Sequence, residues 1–275
     1  MKSGEGPGTV IRNITFRNGR VGSTLIGNPT LRVGGGAYIE SASPTLVGCR
    51  FEQCRAQFGG GGYFYGFKGL IEDCTFVGNN ALQDGGGLEL FNVAGDTSPV
   101  LRACTFDANV AGRNGGGLHL VGTLAAGYEL EDCTIEDNEV LTGFGGGISW
   151  FRYGDITPGT QPLRIVGSDL QRNRALLAGG GIAVLVPGVN AVAAASFICN
   201  NFPDEVAGAV DLLDGAEICS NCPGDFDGDG TVSGIDLGVL LGGWDAVDSV
   251  ADLNGDGAVN GLDLGILLGS WGDCG

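Results

Sequence analysis

Three consecutive glycines recur along this chain at a nearly constant interval, and that pattern alone excludes most folds. Triplets start at Gly34, Gly60, Gly85, Gly115, Gly145 and Gly179, 25 to 34 residues apart, with a degenerate copy at Val206-Ala-Gly208. A glycine run breaks a helix and weakens an isolated strand, so it persists where backbone must approach backbone. A second motif keeps step: Cys49-Arg-Phe51, Cys74-Thr-Phe76, Cys104-Thr-Phe106, Cys133-Thr-Ile135, Ser168-Asp-Leu170 and Ala195-Ser-Phe197. Three residues beyond the apolar position stand Asn79, Asn109, Asn138, Asn173 and Asn200, with Cys54 in the first full copy. A period of this size marks supersecondary units that cannot bury an apolar face alone and must stack on their neighbours.

Each unit reads as a short strand, a turn holding the Asn, a glycine-rich corner and a second strand such as Leu88-Glu-Leu90 or Ile182-Ala-Val184. Alternation turns Cys74 and Phe76 inward and Thr75 outward. The expected fold is mainly β, a right-handed parallel β-helix of about seven coils over residues 1–215. Like residues then form ladders from coil to coil. One inward ladder is Ile14, Cys49, Cys74, Cys104, Cys133, Ser168 and Ala195; beside it runs Phe16, Phe51, Phe76, Phe106, Ile135, Leu170 and Phe197. The thiols are expected to be free, buried and small apolar fillers. Asn suits its turn because it tolerates the left-handed conformation and because stacked amides bond along the axis. The pairing of Phe-x-x-Asn with Gly-Gly-Gly-[Ile/Leu] resembles the repeats of the polymorphic outer-membrane protein family over residues 10–215. That resemblance implies a surface or adhesive role, while carbohydrate lyases and hydrolases share the scaffold.

Residues 223–275 differ in kind. They hold ten Asp and no Lys, Arg or Glu, in a chain whose net charge is −18. One twelve-residue loop occurs twice there. Oxygen side chains fall at positions 1, 3, 5, 9 and 12: Asp225, Asp227, Asp229, Ser233 and Asp236, then Asp252, Asn254, Asp256, Asn260 and Asp263. Gly230 and Gly257 hold position 6, and Thr231 and Ala258 offer a main-chain carbonyl at position 7. This is the ligand spacing of an EF-hand-type calcium loop, in which a hard cation collects six to eight oxygens. Each loop runs into an apolar stretch, Asp236 to Trp244 and Asp263 to Trp271. A calcium loop followed by one helix, in tandem, resembles the type I dockerin module over residues 223–274. The resemblance implies a small α-helical domain with two Ca2+ ions and a protein scaffold or cell-surface component as partner. In dockerins, loop positions 10 and 11 help recognise cohesin through small hydroxyl side chains. Here they are Gly234-Ile235 and Gly261-Leu262, so that contact does not carry over.

Nine cysteines bear on compartment. In dockerin-like modules the chain ends lie close, which implies a Cys222–Cys274 clasp, with Cys199–Cys219 closing a smaller loop beside the connector 216–222. Disulfides imply an oxidising, secreted or cell-surface setting. The acidity excludes nucleic-acid binding by phosphate neutralisation, and no apolar run is long enough to span a membrane. Met1-Lys-Ser-Gly-Glu-Gly has no apolar leader segment and the repeat starts in mid-unit, so the chain is expected to be part of a longer one.

Insertions fall after the glycine-preceded strand, at Phe91–Val100, Val121–Gly127, Phe151–Pro162 and Leu185–Ala194. Loops stacked on one side of a solenoid commonly form its binding face. The expected outward column of that strand is Tyr38, Phe64, Glu89, His119, Ser149, Ala183 and Asp211, and further along Glu40, Phe91, Val121, Phe151 and Leu185. Glu89 and His119 would stand on successive coils; with Arg152 and Asp155 they are the catalytic candidates. Tyr38, Phe64, Phe91 and Phe151 are candidates for stacking the rings of a polysaccharide. The plainer reading makes the aromatics anchors for the loops and His119 a ladder residue. No nucleophile motif, phosphate loop or zinc spacing is visible. A structural or adhesive surface β-helix with a calcium-dependent anchor is the leading function. The alternatives are a polysaccharide lyase or glycoside hydrolase attached through the tail, and a glycan-binding module.

Overall fold

Stacking one repeat on the next produces four parallel sheets, which each coil visits in the same order. The computed structural model describes residues 4–21, 32–92, 99–122, 127–152, 162–186, 188–219, 223–226, 231–246, 249, 251–254 and 256–273. The chain divides into two compact units, Met1–Cys219 and Ser220–Gly275. In the first unit, sheet 1 has eight strands from Val10–Arg12 to Val210–Leu213, and sheet 2 has eight from Thr15–Arg17 to Glu217–Ile218. Sheet 3 holds five two-residue strands from Arg55–Ala56 to Arg174–Ala175, and sheet 4 holds seven from Ala37–Glu40 to Val206–Ala207. Sheets 1 and 2 thus carry eight described rungs rather than seven. The solenoid also reaches beyond residue 215, because Glu217–Ile218 pairs in parallel with Phe197–Ile198.

The inward columns form one continuous core. Phe16, Phe51, Phe76 and Phe106 stack ring on ring at 4.8, 4.5 and 4.7 Å between centroids. Each such pair adds about 1 kcal/mol beyond its buried area. Ile135 and Leu170 continue the column, fully buried.

The asparagines form a second, polar column. The side-chain oxygen of Asn109 accepts from both the main-chain and side-chain nitrogens of Asn79, at 3.0 and 2.9 Å. Asn138 does the same for Asn109, Asn173 for Asn138, and Asn201 for Asn173. The left-handed residue at this corner is the one before: Gly78, Ala108, Asp137, Arg172 and Asn200 all have positive φ. Tolerance of that conformation is therefore not why Asn stands here. An amide is required because it accepts twice and donates onward, leaving no buried polar atom unpaired.

The cysteine column follows the same logic, which corrects its reading as plain apolar filler. Cys49, Cys74, Cys104 and Cys133 are buried and free. Their thiols donate to carbonyls such as Glu72, Arg102 and Glu131, at 3.2 to 3.4 Å. Cys74 Sγ accepts the Cys49 N–H at 3.4 Å. Ser168 and Ser196 continue the pattern with hydroxyls.

Two registers differ from the sequence reading by one residue, each for a visible reason. Four glycines, Gly59 to Gly62, blur the second triplet; Gly59 takes the left-handed corner, φ 61°, equivalent to Gly34 and Gly85. Tyr63 therefore pairs with Tyr38 and Glu89, and Phe64 falls on the inward side with no exposed surface. In the last full coil Ala195 takes the left-handed turn, so Ser196, Ile198 and Asn201 occupy the ladders, and Phe197 points to solvent. A one-residue slip exchanges the two faces of a strand. The glycine corners permit close stacking: a Cβ on Gly116 would lie 2.4 Å from the Gly146 oxygen.

Cys199 and Cys219 form a disulfide across a 20-residue separation, joining the last two rungs of sheet 2. Closing a loop of that length stabilises by about 3 kcal/mol. Reduction is accordingly expected to lower the thermal midpoint of the solenoid and to speed amide exchange first at Phe197–Cys199 and Glu217–Ile218. Unchanged exchange there after reduction would contradict it.

The second unit is small. Helices α1 (Gly234–Gly242) and α2 (Gly261–Gly269) are capped by Ser233 and Asn260, each in a capping box closed by Asp236 or Asp263. Val232, Leu240, Ala251, Leu253, Val259 and Leu267 form its buried core. No helix among the described residues is long and apolar enough to cross a membrane.

Candidate functional site

Three places gather chemically capable side chains: sheet 4 of the solenoid, the outward side of its sheet 2, and the paired acidic loops. In sheet 4 the register sets Glu89 beside His119 and His119 beside Ser149. The column is not open to solvent as expected: Glu89 is 4%, His119 5% and Ser149 0% exposed. The corner preceding each glycine triplet folds back over it, bringing Gly85 and Gly115 against the Cβ atoms of Glu89 and His119. That corner contributes Asp84, whose carboxylate accepts from Arg113 Nε at 2.9 Å and Asn114 Nδ2 at 3.0 Å. Burial pushes the Glu89 carboxyl well up, the Asp84 charge adds to this, and Arg113 opposes it. Burial likewise pushes His119 down to about 4, against Asp84 and with Arg113. Burial thus disfavours the charged form of both groups, and Glu89 Oε2, His119 Nδ1 and Ser149 Oγ are buried with no hydrogen-bond partner among the described residues, so the pair is sealed from solvent rather than open to substrate.

Arg152, the other catalytic candidate among the described residues, is not on this face. Arg152 pairs with Gly122 at the end of its strand, on the side of Ile148 and Trp150. Its Nε and Nη2 are buried without a hydrogen-bond partner among the described residues. Asp155 lies outside the described residues. Asp211 pairs with Val192 in sheet 1, not sheet 4.

Among the aromatic candidates, Phe64 is core, as its register requires. Tyr38 faces Tyr63 with centroids 6.0 Å apart. Its hydroxyl is pushed up to about 12, first by burial and then by its hydrogen bond with Glu40. Phe91 stacks against Tyr65 at 5.4 Å with planes 22° apart, so one face of each ring is taken up by the other. Phe151 lies in register with Val121 and Leu185, partly exposed. Tyr63 and Tyr65 were missed because the glycine quartet hid the register.

A group that sequence reasoning did not assemble lies on the outward side of sheet 2. Asp107 pairs with Glu136, and Arg172 donates to Glu136 at 2.5 Å and to Asp137 at 3.0 Å. Burial, then Glu136 and Asp137, raises the Asp107 carboxyl. Alternation within Thr105–Asp107 and Thr134–Glu136 was the available signal.

In the second unit, the described part of the acidic loops is drawn inward. Asp263 accepts from the N–H groups of Asn254 at 3.0 Å and Asn260 at 2.8 Å, and has no exposed surface. Asp236 accepts from Phe226 at 2.7 Å and Ser233 at 2.8 Å, equally buried. Asp252 accepts the Gly257 N–H at 2.9 Å. The Asn254 and Asn260 amides approach Asp256 at 3.0 and 3.2 Å. An amide turned by 180° presents oxygen instead of nitrogen. Asp252, Asn254, Asp256, Asn260, Asp263 and the Ala258 carbonyl carry hard oxygen donors, the ligand chemistry that calcium takes in preference to a soft or redox metal. In the first loop Asp225, Thr231, Ser233 and Asp236 are described, while Asp227 and Asp229 lie outside the described residues, as do Cys222 and Cys274. Among the described residues no three or more His, Cys, Asp or Glu side chains form a ready metal cluster.

Four parallel sheets wound through shared ladders define the first unit as a parallel β-helix. The chain belongs to the right handed beta helix region family, whose model matches residues 2–158. No curated protein and no solved structure matches it. Family membership establishes the solenoid; the fold alone does not determine an activity.

Proposed function

We propose that this chain is a structural or adhesive β-helix of the cell exterior, held in place by a C-terminal unit that two calcium ions keep folded. One observation carries the reading: the same buried aspartate, Asp236 or Asp263, closes each acidic loop onto the first turn of its helix. Asp225, Asp227, Asp229, Ser233, Asp236 and the Thr231 carbonyl would hold one ion; Asp252, Asn254, Asp256, Asn260, Asp263 and the Ala258 carbonyl the other. Calcium supplies positive charge where like carboxylates crowd and cross-links loop to helix. The helices leave Ile235, Leu241, Leu262 and Leu268 exposed, apolar surface suited to a protein scaffold or envelope component. The burial of Glu89 and His119 supports a non-catalytic solenoid.

A polysaccharide-acting enzyme is the second reading, favoured by Asp107, Glu136, Asp137 and Arg172 on one outward face. One experiment weighs both. The full chain is applied to cell-envelope material in calcium and in EGTA, and in parallel to acidic and neutral polysaccharides. Calcium-dependent retention without turnover is expected. Turnover abolished by Glu136→Gln would replace the first reading by the second, and retention equal in calcium and EGTA would remove the anchor.

A further inference from the structure

The asparagine ladder must end somewhere, and its last member has no following asparagine to bond. Asn201 meets Glu205 instead. Its main-chain N–H reaches both carboxylate oxygens at 3.2 Å, and its side-chain nitrogen reaches Oε2 at 2.6 Å. These are the same two donors that every earlier Asn offers to the Asn of the next coil. Glu205 is 4% exposed. Its carbonyl accepts the Ile182 N–H at 3.1 Å, which ties it to sheet 4, and Val206–Ala207 starts the next strand. The Asn201 amide also donates to the Leu170 and Cys199 carbonyls, at 2.8 and 3.0 Å, beside the Cys199–Cys219 disulfide.

We propose that Glu205 terminates the asparagine ladder in place of a further coil, as a proton-controlled clasp that holds the last coil tightly in acid and loosens it in base. The neighbouring charges are sparse. Asp204 adjoins it and accepts the Gly179 N–H, and the Arg174 guanidinium lies over the Phe202 ring at 5.3 Å. Burial raises Glu205 to about 7, the Asn201 bonds pull it down, and Asp204 adds to the rise. The unfolded carboxyl ionises near 4.5. Between these values folding takes up a proton, so the closure is at full strength below pH 4.5, weakens as pH climbs, and is lost above 7. Protonated, the carboxyl still offers an acceptor to Asn201 and carries no buried charge. Ionised, it keeps the bonds but pays desolvation.

Residue-resolved amide hydrogen exchange on the full chain, corrected for intrinsic rates, tests this at pH 5.5 and 8.5. Protection of Asn201 and Cys199 is expected to fall at least about tenfold at the higher pH. Glu205→Gln, a neutral isostere, is expected to keep the pH 5.5 protection at both values. Glu89 and His119 titrate in earlier coils, so protection of Leu90 and Leu120 reports their contribution separately. Wild-type protection at Asn201 that ignores pH, or a Glu205→Gln variant that retains the wild-type pH response there, would overturn the proposal.

Discussion

Excess EGTA is expected to melt residues 223–274 while the solenoid stays folded. The core of that unit is six buried residues around two nine-residue helices. A core that small rarely supplies more than about 5 kcal/mol. Asp236 and Asp263 are fully buried and Asp252 nearly so, and each belongs to a loop whose sequence carries further carboxylates. An ion at a hundred times its dissociation constant stabilises by about 2.7 kcal/mol per site, so two sites match the whole stability of such a unit. Calorimetry is expected to give two transitions in calcium, of which the lower disappears in EGTA and the upper is unmoved. Helical circular dichroism should fall in step with the lost transition. Asp263→Ala should raise the calcium concentration needed to restore it. A lower transition identical in calcium and EGTA would refute calcium dependence and, with it, the anchoring reading.

The second large effect belongs to the ladder. Asn138→Leu keeps the branched four-atom shape of the side chain and removes every side-chain polar contact of a fully buried amide. Asn138 accepts from Asn109 twice and donates to Phe106, Glu136 and Asn173, at 2.8 to 3.0 Å. The substitution leaves the Asn109 main-chain N–H without its partner and removes one bond each from the Asn109 side-chain amide, which keeps the Phe76 carbonyl, and from the Phe106 carbonyl. Each orphaned buried group costs about 1–3 kcal/mol. Allowing for non-additivity, a loss of about 4 kcal/mol and a midpoint lower by about 10 °C is expected for a unit of this size. Leu176→Ser, at a 62% exposed position, serves as the neutral control. A change below about 1 kcal/mol for Asn138→Leu would mean that the ladder orders the coils without stabilising them.

Much of this was legible because periodicity is a strong signal. The glycine triplets, the Cys-x-Phe strands and the Asn column prescribed stacked parallel coils, and the ladders Phe51–Phe76–Phe106 and Asn79–Asn109–Asn138 stand where spacing put them. Spacing failed where identical neighbours made two registers equivalent. Four glycines before Phe64 and the Asn200-Asn201 pair each allowed a one-residue slip, and a slip exchanges inside for outside. Phe64 thereby left the candidate ligand face and Tyr63 joined it. The neighbours of Glu89 and His119 were read correctly, but their burial was not. It arises where each left-handed glycine corner folds back on its own strand, Gly85 against Glu89 and Gly115 against His119, a four-residue contact that recurs from coil to coil but that strand alternation alone does not show.

The sequence by itself determined the repeat, the parallel stacking, the ladder residue types and the oxygen positions of the twin acidic loops. These follow from local backbone preference and from the need of every coil to match the next. Tertiary structure alone decided which polar groups are sealed from water, which carboxylates share a face, and that Glu205 stands in for the missing asparagine. Those outcomes depend on which surfaces meet after the chain has closed on itself. Desolvation and hydrogen-bond satisfaction are properties of that closure, and no residue carries them alone.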